Sequence, residues 1–207
     1  MANLRVDERT LSRKEIKDAC WVAQRAFMDD PFFCHLSPGP KLRKRGLYLF
    51  FLNQLLHFGK GGRIITVRNE SDVIVGVSAW LPNGSYPQSA LTQIAQIPGV
   101  LRSMYRRPLA LVDGTKYLNE MAKKHPKDPH WYLFLLVAEP EIQRSGIGTM
   151  LMQHAFNEID PQGLPVYLET QNEDNIAYYQ RFGFEPREPL TPVKDGPPLL
   201  RMWRNAR

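Results

Sequence analysis

The chain has 207 residues, 43% of them hydrophobic, which is typical of one globular domain with a buried core. It contains no run of about 18 apolar residues and no secretory-signal pattern, so we expect neither a membrane span nor export. The two cysteines belong to no Cys/His cluster, which argues against a metal site and fits a reducing, cytoplasmic location. The net charge of +6 suits a polyanionic ligand, but the basic residues are scattered and give no support to nucleic-acid binding.

The N-terminal quarter predicts a strand followed by helices. Residues 4–6 form a candidate first strand. A helix that opens at Ser12 or Asp18 runs to Phe27, because apolar residues recur there at spacings of three and four. Pro31 is predicted to stop this helix, since a residue that precedes proline resists the helical region.

The middle of the chain predicts a helix, a hairpin and further helices. The strongly apolar stretch 42–58 indicates a second helix. Two β-branched runs, 63–68 and 73–80, are joined by a polar turn and predict a β-hairpin. Helical spacing returns over 91–124, with breaks near Pro98 and Pro108, which indicates two or three helices.

The C-terminal third alternates strands and helices. Its predicted elements are a buried strand at 130–138, a helix at 146–159, a strand at 165–170, a short helix at 174–182 capped by Gly183, and strands that start at 184 and 199. The order predicts an α/β fold with a central mixed, mostly antiparallel sheet flanked by helices. We expect a single domain over 1–207, with acceptor-side helices at about 11–58 and 88–125 and a cofactor-binding core at about 130–186.

A loop between the buried strand and the following helix carries the strongest chemical signal. Free amides in the first turn of a helix bind phosphate, and Gly146 and Gly148 remove side chains that would keep a pyrophosphate away. The dinucleotide pattern fails because position 151 is leucine, and no P-loop is present. By itself, a Gly-x-Gly turn between a strand and a helix is more often a tight connection than a ligand site. The predicted cofactor-binding residues of this segment are Leu136, Val137, Ala138, Gln143, Arg144, Ser145, Gly146, Ile147, Gly148 and Thr149.

Two motifs resemble those of the GNAT acetyltransferase superfamily. The pattern from Gln143 to Gly148 after a strand resembles motif A, and the pattern from Asn172 through Tyr179 to Gly183-Phe184 resembles motif B. Asn175 departs from the usual alanine, and Gln143 takes a place often held by arginine. The last 80 residues also locally resemble puromycin N-acetyltransferase and its relatives, although we do not carry over puromycin as the acceptor.

The resemblance implies acetyl-CoA as co-substrate, no metal, and a splayed pair of parallel strands that admits the pantetheine arm. We place the split between 131–138 and 165–170. Tyr179 is the candidate acid that protonates the leaving thiolate, and Asn172 either binds the pantetheine arm or caps its helix. Glu169 is the candidate base, with Glu139 or water as alternatives.

The predicted activity is transfer of an acetyl group from acetyl-CoA to a primary amine, with a small molecule favoured, by direct transfer in a ternary complex. Five aromatic residues are candidates to line an apolar acceptor pocket, although each can also be explained as a residue of the core: Phe32, Phe33, Trp80, Tyr117 and Trp131. The rival interpretations are a non-catalytic acyl-CoA sensor and an enzyme that acetylates protein amines. We expect a monomer or homodimer that binds neither membrane nor nucleic acid.

Overall fold

A seven-stranded mixed sheet forms the centre of the molecule. The computed structural model describes residues 3–56, 58, 61–85 and 108–207. The strands are β1 (Arg5–Asp7), β2 (Arg63–Arg68), β3 (Ile74–Leu81), β4 (Trp131–Ala138), β5 (Val166–Thr170), β6 (Glu185–Pro186) and β7 (Leu200–Arg204). Their order across the sheet is β1-β2-β3-β4-β5-β7-β6, and among these strands of the described residues only the neighbours β4 and β5 pair in parallel. The predicted mixed, mostly antiparallel sheet is therefore confirmed.

Helices cover both faces of this sheet. Those of the described residues are α1 (Arg13–Ala26), α2 (Pro31–Leu36), α3 (Pro40–Leu56), α4 (Pro108–Lys124), α5 (Ile147–Ile159) and α6 (Asn175–Gln180). The expected start of α1 at Ser12 is confirmed: its side chain and that of Glu15 form a reciprocal capping box. The helices predicted between 91 and 107 lie outside the described residues.

The predicted stop of the first helix before Pro31 is confirmed, since α1 ends at Ala26, but the sequence did not reveal that a short helix begins at this proline. Pro31 begins α2, because Asp30 caps that helix by accepting from the amides of Phe32 and Phe33 at 3.0 and 3.3 Å. Pro108 likewise begins a helix, α4, and the residues immediately before it lie outside the described part of the chain. A proline lacks only an amide that a first turn leaves unpaired, so it is tolerated where a helix starts.

The core lies in two layers on either side of the sheet. One layer packs α5 and α6 against Leu133, Val166 and Leu168. The other packs α1 and α3 against Val77, Leu135 and other strand residues. The site lies where the sheet between these layers opens.

The opening follows directly from strand pairing. Parallel pairing of β4 with β5 covers only three residue pairs and ends at Leu133↔Leu168, although β4 continues to Ala138. A β-bulge occurs at the same place, since Trp80 pairs with Leu133 and Ala79 with Leu135, which leaves Phe134 without a partner on β3. The two parallel strands therefore part where we expected the split.

Candidate active site

The loop before α5 presents a row of backbone amides to solvent. A 3₁₀ turn at Pro140–Ile142 and the left-handed residues Arg144 (φ 63°) and Gly146 (φ 91°) bend the chain into the helix. Within the described part of the chain, the amides of residues 144–149 donate to no protein acceptor. Free amides at a helix N-terminus attract phosphate oxygens, so the turn has the geometry that the predicted site requires, and phosphate binding itself stays a prediction.

Side chains of this loop mainly hold its own shape. Ser145 Oγ donates to the carbonyl of Ile142 at 2.6 Å, and Gln143 Nε2 donates to the carbonyl of Ala138 at 3.4 Å. Arg144 is exposed. The predicted contribution of these residues to cofactor binding therefore rests on their backbone groups and, for Arg144, on an exposed guanidinium.

Gly148 has a packing role that the sequence did not reveal. Its backbone is helical rather than left-handed, and a Cβ at this position would lie 2.5 Å from the hydroxyl of Tyr178. That hydroxyl is buried beside Thr149, without a hydrogen bond of normal geometry. Burial raises the pKa of Tyr178 to about 12. The glycine thus makes room for a phenol that reaches the first turn of α5.

Leu136, Val137 and Ala138 lie beyond the last residue pair that joins β4 to β5. On the other edge they remain bound to β3, in register with Ser78, Val77 and Gly76 respectively. A segment with one paired and one open edge can receive an additional extended chain. This is the arrangement we predicted for an arm laid into the split.

Glu169 occupies the part of β5 that extends past the split. Its carboxylate accepts hydrogen bonds from Tyr167 at 2.9 Å and from Tyr132 at 3.0 Å. Burial raises the pKa of Glu169 to about 7, despite the opposing effects of the two hydroxyls and of Arg201. Near neutral pH the carboxyl can therefore exchange a proton, as a general base must.

Tyr179 belongs to α6, which packs on the α5 side of the sheet. It is 8% exposed and lies in the core layer of α5, with its ring 5.8 Å from that of Phe184. Burial raises the pKa of Tyr179 above the range of a free phenol, so the hydroxyl keeps its proton at working pH. Ordinary pKa values are about 10 for a phenol and about 8.5 for a thiol. Because the pKa of Tyr179 is raised further, proton transfer from its hydroxyl to a thiolate is less favourable than we expected from those values.

Asn172 is engaged in the turn before α6. Its Oδ1 accepts from the amide of Asp174 at 3.0 Å, and its carbonyl accepts from the amide of Asn175 at 3.2 Å. Asp174 occupies the N-cap position of this helix, and its side chain makes no capping hydrogen bond to the described residues. Asn172 Oδ1 therefore closes a turn ahead of the helix, and the role of Asn172 toward the pantetheine arm stays a prediction.

The structure bears on two other interpretations of the sequence, namely Glu139 as the alternative base and the aromatic acceptor pocket. Glu139, the alternative base, forms a two-point ion pair with Arg25 of α1, which leaves it tethering that helix to the end of β4. Trp80 and Trp131 do not line a pocket with Phe32 and Tyr117, because both indoles belong to the core layer of α5. Tyr117 does meet Phe32, at 4.8 Å between ring centroids.

The tyrosine pair on Glu169 is the part of the site that sequence reasoning missed. Tyr167 and Glu169 are two apart on one strand, so period two places them on the same face. That signal was available in the sequence. Tyr132 joins them through the register of β4 with β5, in which it is the partner of Tyr167. No sequence pattern on one strand gives this register.

An anion-binding helix start beside a split between parallel strands, with a titratable carboxyl past the split, defines an acyl-coenzyme A-dependent transferase. Comparisons with known proteins agree. Residues 37–184 match the Acetyltransferase (GNAT) family. The chain belongs to this family, and it is an N-acetyltransferase that uses acetyl-CoA. The GNAT resemblance is confirmed, whereas the local likeness to the puromycin enzymes stays a prediction.

Similar proteins come from several organisms. An uncharacterized N-acetyltransferase of Schizosaccharomyces pombe is 26% identical over 198 residues, which cover 88% of this chain and 75% of the relative. The histone acetyltransferase HPA2 and related acetyltransferase of Corynebacterium glutamicum superposes with a TM-score of 0.69 at 24% identity, over 100% of this chain and 98% of that one. Arylalkylamine N-acetyltransferase 2 of Aedes aegypti superposes with a TM-score of 0.59 at 12% identity, over 99% of this chain and 100% of that one. These structural likenesses show the shared fold.

No helix in the described ranges is long and apolar enough to cross a membrane.

Proposed function

We propose that the protein acetylates the primary amine of a small molecule by direct transfer from acetyl-CoA in a ternary complex. Acetyl-CoA supplies an activated acyl group as a thioester. The single observation that carries the proposal is the Glu169 carboxyl, placed past the β4/β5 split with a pKa of about 7. A non-catalytic acyl-CoA sensor would need the phosphate-binding turn but no such base.

Each predicted site residue has a distinct task in this proposal. The amides of residues 144–149 bind the diphosphate, and the open edge of Leu136–Ala138 orients the arm that ends in the thioester. Glu169 accepts a proton from the acceptor ammonium, which frees the nitrogen lone pair for attack. Tyr179 donates a proton to the departing sulfur. Asn172 holds the turn from which α6, and therefore Tyr179, projects.

The surroundings of Glu169 favour a slender acceptor over a protein chain. The carboxylate is partly buried beneath Tyr132 and Tyr167. Around these tyrosines lie further aromatic rings, among them Phe134 and Trp203. An amine with a flat apolar body fits such surroundings better than a bulky charged one.

A panel assay tests the proposal. We would measure coenzyme A release from acetyl-CoA with arylalkylamines, aliphatic polyamines, aminosugars and a peptide that has an N-terminal alanine. Release with a small amine that falls at least about 100-fold in Glu169→Gln, the loss typical of a removed general base, supports the proposal. Glu139→Gln is the matched control, because that carboxylate is tied to Arg25.

Two results would contradict it. Calorimetric binding of acetyl-CoA without release for any amine would favour the sensor. Release only with the peptide would move the acceptor to protein amines.

A further inference from the structure

Two hydroxyl groups hold the Glu169 carboxylate, one on each oxygen. Tyr167 Oη donates to Oε1 at 2.9 Å and Tyr132 Oη donates to Oε2 at 3.0 Å. The tyrosines come from different strands and are direct partners in the parallel register, one pair before the strands separate. The carboxylate is thus fixed in two directions at the mouth of the split.

Such an arrangement orients the carboxylate and leaves it able to accept a proton. Each carboxylate oxygen has two lone-pair directions, and the described residues supply one hydroxyl donor per oxygen, so these two donors occupy only one direction on each. The donors also oppose the effect of burial, since hydrogen bonds to the charged form favour it. Without them the buried carboxyl would hold its proton to higher pH.

The described residues bring three further ionisable side chains to the cluster, namely Arg201, His125 and His130. Arg201 faces Glu169 across the β5/β7 register, with Nη2 of its always-charged guanidinium donating to the carbonyl of Glu188 at 2.9 Å. His125 and His130 are buried against the ring of Tyr167, at 5.1 and 5.7 Å. Burial lowers the pKa of both imidazoles, that of His125 to about 3, so they stay neutral. Among these described groups, Glu169 is therefore the one that changes charge near pH 7.

We propose that Tyr132 and Tyr167 are positioning residues that clamp the Glu169 carboxylate and set the pH above which it can take the proton of the acceptor amine. The inference rests on the proposed function in one respect, the role of Glu169 as base. The clamp itself is a property of the free protein and can be tested without turnover.

The test uses Tyr132→Phe and Tyr167→Phe, which remove one hydroxyl each and keep the rings that pack on the histidines. We would titrate the Glu169 carboxyl carbon by NMR in the full-length protein, with the signal assigned from Glu169→Gln. Each variant should raise the titration midpoint by about 1 pH unit, the equivalent of one hydrogen bond to a charged group. Tyr48→Phe is the matched control, because Tyr48 stacks on Trp21 at 4.1 Å in the helical layer of α1 and α3.

A second measurement distinguishes the positioning role of the two tyrosines from the role of Glu169 as general base. For the amine with the fastest coenzyme A release, the acid limb of kcat/KM should shift upward by the same amount, while calorimetric affinity for acetyl-CoA stays within about twofold. A midpoint that is unchanged in both phenylalanine variants, with native circular dichroism, overturns the clamp. A midpoint that moves while the rate profile does not would count against Glu169 as base, and so against the proposed function, and would leave the clamp standing.

Discussion

The phenol oxygen of Tyr178 lies so close to Gly148 that a Cβ on this glycine would be 2.5 Å from it. This contact joins α6 to the first turn of α5, and so connects the helix that bears Tyr179 with the turn that we propose to bind phosphate. Gly148→Ala should therefore cost about 1–3 kcal/mol of unfolding free energy through overpacking. Urea unfolding followed by circular dichroism measures this cost.

A second substitution checks the cause. Tyr178→Phe removes the oxygen that meets the new methyl group, so the double variant Gly148→Ala/Tyr178→Phe should regain most of the lost stability. Additive losses in the double variant would rule out the contact as the reason for the glycine.

A glycine is needed at position 146 because of the backbone conformation there, and not because a side chain would lack space. Its φ is 91°, and nothing lies within 4 Å of a Cβ built there. Gly146→Ala should cost about 1–2 kcal/mol because an L-residue is strained in the left-handed region. It should also weaken acetyl-CoA binding in calorimetry, since relief of the strain tilts the amides of the turn.

Gly163→Ala provides the matched control for this change. Gly163 is also left-handed, at φ 63°, with open space around its Cβ, and it lies at the far end of α5. The control should lose similar stability and keep its affinity. Equal affinity losses in both variants would show that the turn at 146 has no special part in binding.

The activity should depend on pH through Glu169. Burial raises the pKa of this carboxyl from 4.5 to about 7, and only the deprotonated form accepts a proton. Hence kcat/KM should rise with pH and level off above about 7. Because the folded state binds this proton more tightly than the unfolded state, the contribution of Glu169 to stability falls as pH rises from about 4.5 to 7.

Thermal unfolding at two pH values checks the sign of that linkage. Glu169→Gln should gain stability relative to the natural protein on going from pH 5 to pH 8. If the difference in stability between the two proteins is the same at both pH values, Glu169 has an ordinary pKa. The assignment of Glu169 as the base would then lose its support.

Tyr179→Phe should lower kcat much more than it changes affinity for acetyl-CoA. The ring packs in the core and is retained in phenylalanine, whereas the hydroxyl that we propose to supply the proton is lost. General-acid contributions are typically about 100- to 10,000-fold. Steady-state coenzyme A release together with calorimetry makes the comparison, and Tyr178→Phe is its neighbour control. Unchanged turnover would remove Tyr179 from the mechanism.

Arg204 holds the turn after α6 to the end of α5. It is 2% exposed, donates to both carboxylate oxygens of Asp160 at 2.5 and 2.8 Å, and donates to the carbonyl of Phe182 at 3.0 Å. Arg204→Met leaves a partly buried carboxylate without its cation, so we expect a loss of about 3–5 kcal/mol in urea unfolding. Arg207→Met is the control, because this exposed arginine approaches the same carbonyl at only 3.5 Å. A loss below about 1 kcal/mol at position 204 would show that the pair is worth no more than a surface ion pair.

Local sequence sufficed wherever structure depends on near neighbours. The capping box at Ser12, the left-handed Gly183 and the hairpin of β2 with β3 follow from residues a few positions apart. So does the turn at 143–149, because glycine placement and a helix start are local properties. The proline at 31 correctly marked the end of α1, whereas the short helix that begins there was missed, because a proline that ends one helix can also begin the next.

The tertiary structure decided which residues from distant segments of the chain contact each other. The sequence by itself determined the family motifs, the anion-binding turn and the candidate pair Glu169 and Tyr179. Only the register of β4 with β5 placed Tyr132 on the carboxylate of Glu169, 37 positions away, and only packing moved Trp80 and Trp131 into the core layer of α5. The physical reason is that strand register and the face a side chain takes depend on pairing between segments. No pattern within one segment encodes that pairing.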